Sequence, residues 1–174
     1  GNHDYGEYCN WESEKAKSDN LELLHRLQRD MGWQLLLNES KIVYRGNDSI
    51  AIIGVENWGE PPFPIYGDLT KSYTSLNDSV TKILLTHNPE HWRKEIKDNA
   101  DVNIALSLSG HTHAMQLSLC GISPASWRYS TWGGKYEDEK GQTLYVNIGL
   151  GTVLIPTRIG ATPEITILTL RRSE

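Results

Sequence analysis

Cysteine is scarce in this sequence, with only Cys9 and Cys120 among the 174 residues. The two lie far apart and match neither a C-x-x-C pair nor the dense spacing of a disulfide scaffold. We predict that both are free thiols, with a single bridge between them as the alternative. Long apolar runs are also missing. No run approaches the roughly 20 residues that span a bilayer, and no charged-then-apolar leader opens the sequence, so the sequence as it stands is expected to be soluble.

The sequence also lacks an excess of positive charge. Its 17 lysines and arginines are outnumbered by 22 aspartates and glutamates, for a net charge of -5. A nucleic-acid binder relies on a basic face to meet the phosphate backbone, so this balance argues against a nucleic-acid partner. If the substrate is a phosphate ester, the positive field at the site would have to come mainly from bound metal ions.

The length and the apolar content of 38% suit one loop-rich domain over residues 1–174. Some segments have apolar residues at helical spacing and others have them at the alternating spacing of strands, and together these patterns predict an α/β fold. The clearest helix covers residues 18–32, with Asp19 and Glu22 as a capping box and Gly32 as its stop. Strands are predicted in a hairpin over residues 34–44 and over residues 50–55, 82–86, 102–108, 116–119, 143–148 and 164–170.

Two long aromatic segments without periodicity, residues 57–73 and 125–141, are predicted to be loops. The first is rich in proline and is either a lid over a substrate or a structural crossover that covers a core edge. The charges of the second are typical of a solvated turn. Both are candidates for determining substrate specificity.

Histidines follow two of the predicted strands directly. Gly110-His111-Thr112-His113 comes after the strand at residues 102–108, and a glycine turn lets its two imidazoles diverge toward neighbouring ions. Alone, such a pair fits an ordinary polar loop as well as it fits a metal site. His87 ends the strand at residues 82–86, so the two clusters are expected at one sheet edge.

His87 and His91 have the i, i+4 spacing of a helical zinc site. The helix, however, is predicted to begin only at Pro89, with Asn88 as its cap. The two imidazoles therefore do not share a helical face, and His91 is predicted to be a surface residue of the first turn.

The sequence opens with Gly1-Asn2-His3-Asp4. The order GNHD, a strand-terminal histidine and GHTH resembles the calcineurin-like (binuclear) metallophosphoesterase superfamily, whose full pattern is D-x-H, GDxxD, GNH[D/E], H and GHxH. The last three blocks match in order. Residues 87–89, 110–116, 144–152 and 163–168 further resemble a bacterial, often membrane-anchored subgroup. The resemblance implies a layered β-sandwich flanked by helices, of which this chain would be the carboxy-terminal part.

The first two blocks of that pattern are missing. No Asp-x-His occurs, and the only Gly-Asp pair, Gly67-Asp68, continues without a second aspartate. Because the sequence begins directly on the third block, we expect it to be the carboxy-terminal half of a longer protein. The subgroup resemblance implies a bacterial, membrane-associated parent that is anchored upstream.

The superfamily pattern also implies roles for the matching residues. The ligands would be Asn2, His87 and His111 for one metal ion and His113 for the other. His3 would lie beside the phosphate, stabilise it and donate a proton to the leaving alkoxide, while Asp4 accepts its other N–H. The implied reaction is hydrolysis of a phosphomonoester or phosphodiester by metal-activated hydroxide, with two divalent ions, Mn, Fe or Zn, in the parent protein.

The missing blocks carry the bridging aspartate and other anionic ligands of the pattern. We therefore expect this chain to bind at most one ion, weakly, and to be inactive by itself. The missing half would also supply central strands. We expect the apolar edges left behind to drive self-association of the chain.

Two other functions fit some of the same residues. A catalytically silent relative with this fold could bind a protein partner, but such a scaffold has no physical need of so many site histidines. A small structural zinc module could use His87, His111 and His113. It would need a fourth ligand, for which Cys120 is the only soft candidate close in sequence, and the spacing matches no common structural zinc pattern.

Overall fold

The computed structural model describes residues 1–171, and one mixed β-sheet organises them. The six strands of this described part lie in the order β1-β2-β3-β4-β6-β5. They are β1 (Glu39–Arg45), β2 (Asp48–Gly54), β3 (Thr81–Leu85), β4 (Leu106–Ser109), β5 (Gly134–Glu137) and β6 (Thr143–Val146). Strands β2, β3, β4 and β6 run parallel, and the edge strands β1 and β5 pair antiparallel. With helices flanking the sheet, the predicted α/β class is confirmed.

The helices of this part are α1 (Glu14–Asp30), α2 (Leu69–Tyr73), α3 (Pro89–His91) and α4 (Ala125–Arg128). A π-helical turn, Trp92–Ile96, continues α3, and 3₁₀ turns cover Asn2–Tyr5 and His113–Gln116. Helix α1 begins a turn earlier than predicted because Ser13 Oγ, rather than an Asp19 cap, accepts a hydrogen bond from the Ala16 amide at 3.1 Å. No residue of α1 is buried, and Leu27 and Met31 on its apolar stripe are about half exposed.

The parallel register places the carboxyl ends of the central strands at one edge. Leu84 of β3 pairs with Ile53 of β2 and Ser107 of β4, and Ser109 pairs with Val146 of β6. The fully buried core packs on these strands and consists of Ile53, Leu84, Trp92, Ile96, Ile104, Leu144 and Val146. Burying each large side chain contributes about 2 kcal/mol, which holds the strand ends in place.

The hairpin lies later in the chain than predicted. β1 and β2 form it, and the turn is at Gly46-Asn47 instead of residues 38–41. Asn38 is buried with a positive φ of 57°, and its side-chain oxygen accepts hydrogen bonds from the Glu56 and Asp68 amides at 3.0 and 2.8 Å. A residue that ties two other loops together in this way does not form an exposed turn tip.

Three further predictions about the elements change. The segment at residues 57–73, predicted to be a loop, contains α2. The segment at residues 125–141, also predicted to be a loop, contains α4 and β5. Residues 113–116 form a 3₁₀ turn where a strand was predicted to begin. Residues 164–170 form no strand, because β6 already pairs with β4 and β5 on its two sides. Ile165 and Ile167 consequently remain 78% and 88% exposed.

Both cysteines are free, as predicted, and both are exposed. No helix in residues 1–171 is both long enough and apolar enough to cross a membrane.

His91 is buried, so its predicted surface position is wrong. It is 1% exposed, and its Nδ1 lies 2.9 Å from Thr86 Oγ1 at the end of β3. Its ring also stacks near Trp58, with centroids 6.0 Å apart. The helix does begin at Pro89 with an Asn88 cap, but this first turn packs on the sheet. Burial lowers the pKa of His91 to about 4.

We predict that His91 makes stability depend on pH. Since its pKa is about 4 in the fold and about 6.5 unfolded, the unfolded chain binds more protons between these values. The stability from its neutral form is present above pH 6.5 and is lost as the pH falls toward 4, by about 3 kcal/mol at most. His91→Gln should therefore lose less stability than the wild type between pH 7 and 4.5, as measured by urea unfolding. The control His25→Gln should retain the wild-type slope, and an unchanged slope for His91→Gln would contradict the assignment.

Candidate metal centre

Three polar loops meet at the carboxyl edge of the sheet. His87 follows β3, Gly110 and His111 follow β4, and the two loops are joined where the Gly110 amide donates to the His87 carbonyl at 3.0 Å. The 3₁₀ turn Asn2–Tyr5 lies over this edge and brings in Asn2. The expected meeting of the three sequence blocks is thus observed.

Three donor atoms form a tight triangle there, which we call the donor triangle. Asn2 Oδ1 lies 2.8 Å from His87 Nε2 and 3.3 Å from His111 Nδ1. The two imidazole nitrogens are 3.2 Å apart. The Asn2 amide is oriented by its Nδ2, which donates to Tyr8 Oη at 2.9 Å.

The donor triangle fits one side of a divalent-ion site. With metal–ligand bonds of about 2.0–2.2 Å, neighbouring ligand atoms lie about 3.0–3.5 Å apart, close to the spacing seen here. All three donors are neutral. In residues 1–171 no three or more His, Cys, Asp or Glu side chains group closely enough to hold an ion. The triangle would therefore need anionic ligands from elsewhere to hold a divalent ion firmly.

Burial keeps the imidazoles neutral. It lowers the pKa of His87 to about 3 and that of His111 to about 4, with smaller effects from neighbouring charged groups. Neutral imidazole is the form that ligates metals, so both rings are in the binding form at neutral pH.

His113 stands apart from the triangle but lines the same cavity. Its Nδ1 is buried and has no hydrogen-bond partner. Burial, and then the charge of Arg158, lower its pKa. Both His111 and His113 have positive φ, 70° and 39°. An unpartnered neutral imidazole nitrogen can ligate a metal ion, and the assignment of His113 to a second ion stays a prediction.

His3 and Asp4 lie next to these donors. His3 is exposed, lines the cavity and stacks on Tyr8 with ring centroids 4.7 Å apart. The Asp4 carboxylate accepts a hydrogen bond from the amino group of Gly1. The predicted contact between Asp4 and His3 stays a prediction.

The donor triangle opens onto a cavity of ≈ 510 Å³ whose wall includes two residues that the sequence did not single out. Tyr129 Oη lies 3.1 Å from His111 Nε2, on the ring nitrogen that faces away from the triangle. Arg158 donates to the carbonyls of Ile148, Gly151 and Ala161, and so shapes the rim while bringing a positive charge to it. In the sequence, the only signal for Tyr129 is its place in the aromatic segment at residues 125–141, and Arg158 is part of no recognised motif.

Comparison with known proteins gives relatives across most of the chain. It is 36% identical over 108 residues to the uncharacterized metallophosphoesterase YkuE of Bacillus subtilis, which covers 60% of the chain and 36% of that protein. It is 33% identical over 147 residues to the B. subtilis protein YpbG, covering 84% of the chain and 52% of the relative. A transmembrane protein with metallophosphoesterase domain from Danio rerio is 31% identical over 181 residues, which cover 99% of the chain and 38% of that protein.

These names support the resemblance to the metallophosphoesterase superfamily. The chain spans between about a third and about half of the length of these relatives. No family model matches the chain, and no solved structure matches it.

We predict that Tyr129 holds His111 in the tautomer that leaves Nδ1 unprotonated. The Nε2–H donates to Tyr129 Oη in this arrangement, so Tyr129→Phe should populate the Nδ1–H tautomer, as read from imidazole ¹⁵N chemical shifts. Affinity for Mn²⁺ or Zn²⁺ should fall about 10–100-fold in titration calorimetry, since such partners orient metal ligands. The control is Tyr136→Phe, whose hydroxyl contacts the Gly133 amide outside the cavity. An unaltered His111 tautomer in Tyr129→Phe would refute the prediction.

Proposed function

We propose that this chain is the carboxy-terminal part of a metal-dependent phosphoesterase. The observation that carries the proposal is the donor triangle, in which Asn2 of the first 3₁₀ turn meets His87 and His111, which follow the parallel strands β3 and β4. Relatives named metallophosphoesterases indicate phosphoester hydrolysis in general terms. The reaction proposed here is the hydrolysis of a phosphomonoester or phosphodiester.

The chain would contribute ligands to two divalent ions. Asn2, His87 and His111 would hold one ion and His113 the other, and Mn, Fe or Zn suits imidazole and amide oxygen donors. When bound, such a pair supplies Lewis-acid stabilisation of the phosphate and lowers the pKa of a water molecule toward neutrality. The protein's own task is to keep the imidazoles neutral and correctly turned, which burial and Tyr129 accomplish.

His3 is proposed to act on the leaving group. It lines the cavity beside the donor triangle and remains exposed, so its imidazole can exchange protons with solvent between turnovers. In the reaction, a protonated His3 would stabilise the phosphate charge and donate a proton to the departing alkoxide. Asp4 would accept the other N–H of this ring and fix its orientation.

The chain alone is proposed to be inactive. Its donor triangle is uncharged, and in the part of the chain that the structure describes no three or more His, Cys, Asp or Glu side chains form a group that could hold an ion. The D-x-H and GDxxD blocks of the superfamily pattern would supply the bridging and terminal carboxylates from upstream. Without them, we propose that at most one ion binds, and weakly.

We further propose that the parent belongs to a membrane-associated bacterial subgroup. Relatives from zebrafish and cattle are named transmembrane proteins with a metallophosphoesterase domain, and YkuE and YkoQ are bacterial. No helix within residues 1–171 is suited to crossing a membrane. The proposed anchor would therefore lie outside these residues.

The function is tested by comparing this chain with a form extended upstream to include the two missing blocks. We predict that only the extended form holds two metal ions and hydrolyses p-nitrophenyl phosphate or bis-p-nitrophenyl phosphate in Mn²⁺. His111→Ala in the extended form should lower kcat/KM at least about 100-fold, since it removes a metal ligand. The control His25→Ala lies on α1, outside the donor triangle, and should retain activity. Robust turnover by the chain alone would overturn the half-site account, and two bound ions without turnover would favour the protein-binding scaffold.

The exposed segment at residues 165–170 generates a further prediction, that the chain associates with itself. Ile165, Ile167 and Leu170 are largely exposed on a backbone that pairs with no strand. An apolar, unpaired edge of this kind recruits another strand. Size-exclusion chromatography with light scattering should show oligomers at high concentration, and Ile167→Lys should yield monomers. The control Ile122→Lys alters another exposed isoleucine, one that lies outside residues 165–170, and should not dissociate them. A wild-type monomer at every concentration would refute this prediction.

A further inference from the structure

We propose that a second cavity beside the donor triangle is a leaving-group subsite for a six-membered ring that carries hydroxyl groups. This inference rests on the proposed phosphoester hydrolysis and names one part of its substrate. The second cavity shares Asn2 and His111 with the larger cavity. A phosphate at the donor triangle would therefore direct one of its ester substituents into it.

The size of the second cavity suits a leaving group with one ring. Its volume is ≈ 120 Å³. An engineered cavity of about 150 Å³ in another protein holds one benzene molecule. A monosaccharide or cyclitol ring is of the right scale for this space.

Aromatic side chains form much of the wall. Tyr8 and Phe63 lie together with ring centroids 5.1 Å apart, and Tyr129 faces the cavity from the other loop. The Arg128 guanidinium lies over the Tyr129 ring, 4.9 Å from its centroid. Ring faces are electron-rich and pack well against the C–H groups of a saturated ring, so they can hold it without a hydrogen bond.

Polar groups in the same wall favour a ring with hydroxyl groups, because they offer it hydrogen-bond acceptors and donors. Asn57 is 6% exposed, lines the cavity, and its side-chain oxygen has no hydrogen-bond partner. Glu60 and Arg128 form an ion pair of 2.9 Å at the wall and supply a further acceptor and donor. A buried acceptor left unpaired is unfavourable, so a ligand hydroxyl that donates to Asn57 is preferred to a bare hydrocarbon ring.

The test uses three esters that differ only in the leaving alcohol: methyl, cyclohexyl and myo-inositol. They are offered to the metal-loaded, upstream-extended protein as monoesters, or as methyl diesters if bis-p-nitrophenyl phosphate is its better substrate. The expected kcat/KM for the inositol ester exceeds that for the cyclohexyl ester at least about tenfold, because a site built to hydrogen-bond rejects an analogue without hydroxyls. The cyclohexyl ester in turn should exceed the methyl ester.

Two variants locate the preference. Asn57→Ala should bring the ratio of inositol to cyclohexyl kcat/KM close to one, whereas Phe63→Ala should lower both ring esters relative to the methyl ester. Asn10→Ala, an exposed asparagine outside both cavities, is the matched control and should keep the wild-type ratios. In the upstream-extended protein without substitutions, addition of myo-inositol should shift the NMR signal of the Asn57 side-chain amide. Addition of cyclohexanol should leave that signal unchanged.

The outcomes separate the two proposals. Hydrolysis of all three esters at similar kcat/KM, or ratios that Asn57→Ala and Phe63→Ala leave unchanged, would overturn the subsite and leave the proposed function standing. No hydrolysis of any ester by protein that holds two ions would overturn the proposed function and the leaving-group role together.

Discussion

The hydrogen-bonded contact between the loops after β3 and β4 is the constraint on which the candidate site depends. The Gly110 amide donates to the His87 carbonyl, directly beyond the parallel pairing of Leu85 with Leu108. Residues that are 24 positions apart in sequence thereby place their imidazole nitrogens 3.2 Å apart. Because parallel strands end at the same edge, a shift of either strand by one residue would turn its side chains to the other face and separate the two rings.

Burial and charge then determine what this edge can do. The imidazoles are shielded enough for their pKa values to fall well below neutrality, so they remain neutral. The same neutrality means that nothing in the donor triangle compensates the charge of a divalent ion. In the proposed binuclear centre, the neutral donors and the unpartnered Nδ1 of His113 would form one half, and carboxylates would have to complete it.

The exposed surface is consistent with that incompleteness. Helix α1 has no buried residue, and the β-branched segment at residues 164–170 pairs with no strand of the sheet. An amphipathic helix and an alternating apolar segment normally gain their stability by packing. These two elements are the places where further polypeptide would bury the most apolar area, whether from a longer protein or from a second copy of the chain.

The sequence by itself determined the α/β class, the strands that precede the histidines, the Asn88 cap and the identity of Asn2, His87 and His111 as neighbours, because strand periodicity and block order depend on local pattern. Only the tertiary structure decided that His91 is buried against Thr86, that Asn38 joins three loops, and that Tyr129 reaches His111. It also decided that residues 164–170 find no strand partner, since β6 is paired on both sides. Burial and long-range contacts depend on which surfaces meet after the chain has folded, and no local pattern of residues encodes that meeting.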